Sequence, residues 1–107
     1  MPAPDPIQQG RDAFGRHAWA EARELLARAN LDAPLGAEDL ERLATASYLV
    51  GRERDFLHCL ERAHQAHQET GAGARAARCA FWLGLRLMLE GEAGRATAWL
   101  ARARRLV

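Results

Sequence analysis

A pattern of spaced small and apolar residues recurs along this chain at fixed offsets. Ala22, Leu26 and Ala29 return 34 residues later as Phe56, Leu60 and Ala63, and again 40 residues after that as Ala96, Leu100 and Ala103. Gly51 and Gly91 share the second offset. Within each set the steps are three and four residues, the spacing of one helix face. A period of this length is one supersecondary unit of two helices and their turns. Such a unit cannot bury its apolar face alone and must stack on its neighbours. The chain therefore divides into three units, at approximately 4–36, 37–70 and 74–107. The six extra residues of the second interval belong between units two and three, where His64 to Arg75 supplies a longer helix or loop.

Local signals place six helices. Asp5 can cap the first, with Pro6 at the first helical position, where a missing N–H costs nothing. That helix reaches about Phe14 and breaks near Gly15. The second runs from about Ala18 to Asn30, stopped by Pro34 and Gly36. The third covers about Ala37 to Val50, with Gly51 as its C-terminal cap. The fourth extends from about Arg54 to Thr70, the fifth from about Ala74 to Glu90, and the sixth from Ala93 onward. The chain is rich in Ala, Leu, Arg and Glu and poor in β-branched residues, and no segment alternates with period two. The expected fold class is all-α, antiparallel helix pairs stacked as a short solenoid.

The string Ala80-Phe81-Trp82-Leu83-Gly84-Leu85-Arg86-Leu87 resembles the first helix of a tetratricopeptide repeat. Leu83-Gly84 matches that family's Leu-Gly pair, and Leu87 replaces its usual Tyr. Trp82 lies two residues from the family's tryptophan position, which Ala80 occupies. Small residues stand at corresponding places in the other units: Gly10 and Ala13, then Ala44 and Ser47. On the second helices Ala22, Ala96 and Ala103 match, while Phe56 breaks the pattern. Three longer strings, Asp39 to Arg52, Arg75 to Gly84 and Trp99 to Leu106, are similar to the N-terminal helical-repeat region of large bacterial LuxR-type transcriptional regulators. The similarity covers the chain from Gly10 onward. It implies a right-handed tetratricopeptide-like solenoid, and either a fragment of a regulator or a related stand-alone module. These regulators carry their DNA-binding helix-turn-helix at the far C-terminal end, and nothing in these residues supplies one.

The resemblance also implies a concave groove lined by the first helix of each pair. Its members would be Arg11 and Phe14, then Glu41, Thr45 and Tyr48, then Arg78, Phe81, Leu85 and Met88. Aromatics and Met beside charges suit an interaction surface. Phe81, Leu85 and Met88 equally fit core positions at helical spacing, and Arg11, Glu41 and Arg78 fit plain solvated charges. The last helix carries an apolar side of Trp99, Leu100, Ala103 and Leu106. Either it packs entirely against the fifth helix, or Trp99, Leu100 and Leu106 form a self-association face covered by a further unit or another copy.

Other chemistries find little support. His64 and His67 share a helix face but lack a carboxylate or Cys in a familiar zinc pattern, so they read, with His58, as surface or linker histidines. Cys59 and Cys79 read as buried thiols of a reducing compartment. Ser47 has no nucleophile-elbow glycines, and Cys59 has His58 only as a chain neighbour, on a different helix face. No catalytic, cofactor or metal residue is assigned. A net charge of +1 gives no long-range field for nucleic acid, and Arg102-Ala103-Arg104-Arg105 reads as a solvated helix face. The Met1-Pro2-Ala3-Pro4-Asp5-Pro6 start has neither the basic nor the apolar stretch of a signal peptide. The apolar run Cys79 to Leu85 is too short to cross a bilayer. The expectation is a cytoplasmic protein-interaction or effector-sensing module that captures a protein, peptide or small effector, with no membrane or direct nucleic-acid contact. The alternative is an oligomerisation or spacer element with no specific groove ligand.

Overall fold

The computed structural model describes residues 5–106. The Met1 to Pro4 start, on which part of the signal-peptide reading and the beginning of the first unit rest, lies outside the described residues, as does Val107. Among the described residues there are six α-helices and no strand: α1 (Pro6–Gly15), α2 (Trp19–Asp32), α3 (Ala37–Leu49), α4 (Glu53–Glu69), α5 (Gly73–Leu89) and α6 (Ala93–Arg105). None is long and apolar enough to cross a membrane. Each expected helix is present, with ends displaced by at most two residues. The Asp5 carboxylate caps α1 by accepting from the Ile7 N–H at 3.0 Å, and Pro6 opens the helix. The longer second interval is absorbed by helix length, since α4 and α5 each hold 17 residues and are joined through only Thr70, Gly71 and Ala72.

One turn geometry recurs at four helix ends. After α3, Gly51 takes φ +82°, its N–H bonds the Tyr48 carbonyl, and the Arg52 N–H reaches the Ser47 carbonyl at 2.8 Å. Gly71 after α4 and Gly91 after α5 repeat this, with Ala72 bonding His67 and Glu92 bonding Leu87. After α1 the same place is held by His17 at φ +60°, with Ala18 bonding Ala13. This left-handed cap satisfies carbonyls left open at a helix end and starts the next helix one residue later. The α2 to α3 connection differs: it is extended at Ala33, and the Asn30 side chain accepts from the Leu35 N–H, which lets Leu35 turn inward.

Packing groups the chain into two compact units, Met1–Cys59 and Leu60–Val107. In the first, α1 and α2 form an antiparallel hairpin, and α3 packs on both. Its centre is Ala13, Ala22 and Ala46, walled by Phe14, Ala18 and Leu25. The helices come this close because the facing residues are small. A Cβ on Gly10 would stand 2.7 Å from the Leu26 side chain. In the second unit, α5 and α6 form the corresponding hairpin, and a Cβ on Gly84 would stand 2.7 Å from Leu100. Buried Ala76, Ala80, Leu83, Leu87, Ala96 and Ala103 complete that hairpin, and Leu60, Ala63, His64 and His67 are the buried stripe of α4.

Candidate functional site

In the first unit Arg11 is not a plain solvated charge. It donates through Nε and a terminal nitrogen to both Asp39 oxygens, at 2.9 and 2.7 Å, and Arg42 adds a third bond at 2.9 Å. Asp39 is buried, and the bond from Arg11 holds its carboxyl below the usual aspartate range against the opposing effect of burial. The same pairing raises the Arg11 guanidinium. The pair ties α1 to α3. Phe14 is half-buried, edge-on to Trp19 at 5.1 Å between ring centres. Thr45 is exposed and Glu41 half-buried. Tyr48 is exposed and meets Phe56 at 5.1 Å, so the large residue at position 56 serves as a ring partner.

In the second unit the geometry is more open. Phe81, Trp82 and Met88 of α5 are each about half exposed, Leu89 is 70% exposed, and Leu85 is half-buried. Phe81 and Trp82 meet edge-to-face at 5.5 Å. Beside Phe81 an open furrow of about 460 Å³ runs between α5 and α6, floored by Ala77, Phe81, Leu100 and Ala103 and flanked by Arg78 and Arg104. Of the sequence-derived set, the furrow thus unites Arg78 and Phe81 with Leu100. Trp82, Leu89 and Arg104 were not singled out as site residues. Their signal was the phase of α5 and the charge of the last two helices.

Trp99, Leu100 and Leu106 are half-buried. Leu100 fills the space Gly84 leaves, and Trp99 stands edge-on to the His64 ring at 5.1 Å with the Arg102 guanidinium 4.7 Å above its face.

The histidine reading needs correction: His64 and His67 are buried, and only His58 is exposed. The reason is that α4 continues through Glu69, so His64 and His67 continue the inward stripe of Leu60 and Ala63 at helical spacing. His64 Nδ1 lies 2.8 Å from the Ala76 carbonyl, which can only accept, so that nitrogen carries the proton. Nε2 is buried without a hydrogen-bond partner. Cys59 and Cys79 are buried thiols, as expected. The chain matches no known protein-family model and no curated protein sequence.

Proposed function

We propose that this chain is a protein-interaction or effector-sensing module of the tetratricopeptide-like solenoid type, related to the N-terminal repeat region of LuxR-type regulators. The observation that carries the binding role is the outer face of α5, where large apolar side chains at 81, 82, 88 and 89 meet solvent together. A soluble helix that buries one face normally shows polar residues on the other, and an apolar patch there marks a surface for a partner. The repeat reading draws support from the shared turn at His17, Gly51 and Gly91, offset by the same 34 and 40 residues as the apolar pattern. It draws further support from the Gly10–Leu26 and Gly84–Leu100 contacts, each member displaced by 74.

The role proposed is capture of a protein segment on α5, with occupancy passed to whatever the module is joined to. The test is selection from a displayed library of helical peptides on the immobilised chain. Wild type should enrich binders, and the double variant Phe81→Asp, Met88→Asp should lose them. Melting should move by no more than about 0.5 kcal/mol equivalent, because both side chains are largely outside the core. Equal enrichment by wild type and variant would discard α5 as the site. No enrichment by either would favour a spacer element.

A further inference from the structure

The occupant of this face can be specified, on the premise that α5 is a binding surface. Ala74, Arg78, Phe81, Leu85 and Met88 follow one another at steps of four, three, four and three, and all but the half-buried Leu85 are exposed. That is the alternation of a heptad seam, which meets another helix by inserting side chains into its gaps. The charge around the seam has one sign. Residues 73–106 hold seven arginines and two glutamates, a net of +5, and both glutamates, Glu90 and Glu92, lie between α5 and α6. Neither helix contains an aspartate or glutamate. A helix laid on the seam therefore runs beside Arg75, Arg78 and Arg86 of α5, with Arg104 across the furrow.

We propose that α5, with the furrow against α6, docks an amphipathic helix of another protein whose apolar stripe is flanked by Glu or Asp. Every cationic residue of the chain is arginine, and its forked donor set matches carboxylates in pairs. A second copy of this chain is a poorer occupant. Its own α5 would bring like charge, and in its first unit Glu21, Glu24, Asp39 and Asp55 are already engaged by Arg16, Arg28, Arg11 and Arg23. Nucleic acid is poorer too, because the furrow floor of Ala77, Phe81, Leu100 and Ala103 offers a sugar-phosphate chain no hydrogen bonds.

The test uses fluorescent helical peptides of about three heptads with one apolar stripe, flanked by Glu, by Gln or by Lys. Anisotropy should rank them Glu, Gln, Lys, and affinity for the Glu peptide should fall about tenfold between roughly 0.05 and 0.3 M salt. The double variant Arg78→Glu, Arg104→Glu should lose the Glu peptide by tenfold or more and gain the Lys peptide, with circular dichroism melting held as the folding control. Equal affinity for all three peptides, or no salt dependence, overturns the acidic specificity while leaving α5 as a binding face. Tighter binding of a single-stranded oligonucleotide than of the Glu peptide, or self-association abolished by the Arg78→Glu, Arg104→Glu exchange, overturns the choice of partner. Loss of library capture in the Phe81→Asp, Met88→Asp variant, with no binding of the Glu peptide to wild type, rejects the inference and spares the broader reading.

Discussion

Gly10 and Gly84 stand in equivalent places, each under a leucine of the opposing helix, and neither has room for a methyl group. Gly84→Ala should destabilise by about 1–3 kcal/mol, the usual effect of forcing volume into a closed contact. Gly94 has nothing within 4 Å of its Cβ direction, so Gly94→Ala should be neutral or slightly stabilising. Paired thermal melts check both, and equal shifts would mean the helices are not in this register. Asp39 makes a second prediction. Its folded carboxyl titrates below the unfolded one, so its contribution is complete above the unfolded value near pH 4. That contribution is lost as pH falls from there through the folded value. Asp39→Asn should lower stability at neutral pH by about 1 kcal/mol, a modest loss because Arg11 is partly in solvent, and should flatten that acid slope in urea titrations. Buried Ser47 Oγ lacks a hydrogen-bond partner, and position 13, one unit earlier, holds alanine. Ser47→Ala should therefore raise the melting point, by up to about 1 kcal/mol equivalent. Small residues at 10, 13, 44 and 84 were legible as contact points. The Asp39 pair was not, because two groups 28 positions apart carry no local signal of meeting.

The helices themselves were readable because apolar phase, Asp5, Pro6 and the glycines all act within a few residues. Gly51 was legible as a cap for the same reason. His17 was not, since a histidine in the left-handed region declares itself only through its 34-residue alignment with Gly51. Gly51→Ala should cost about 1 kcal/mol, as a side chain at φ +82° meets its own backbone, and a chemical melt would show it. The buried histidines of α4 show the opposite difficulty. Polar residues on an inward stripe look like linker until the helix is known to continue past them.

At the scale of the whole molecule, a net charge of +1 concealed an uneven distribution. Residues 5–59 carry ten acidic and seven basic groups, while residues 60–106 carry four and eight. The summed value excluded a long-range field correctly but said nothing about a local one, and the α5 to α6 face is where that matters. Cys59 lies in one compact unit and Cys79 in the other, both buried. Both thiols should react with a disulfide reagent on the order of a hundredfold more slowly than in denaturant, because each unit must open first. Fast reaction of either would show that its unit opens readily.

The sequence by itself determined the all-helical class, the helix ends and the places where helices touch most closely. Each of these depends on residues within one or two turns of one another, or on a pattern repeated along the chain. Tertiary structure decided how the side chains were used. It engaged Arg11 with Asp39, turned His64 and His67 inward, and left Phe81, Trp82, Met88 and Leu89 in solvent. An apolar residue on an amphipathic helix can serve core or interface equally well, and only the positions of the neighbouring helices choose between them.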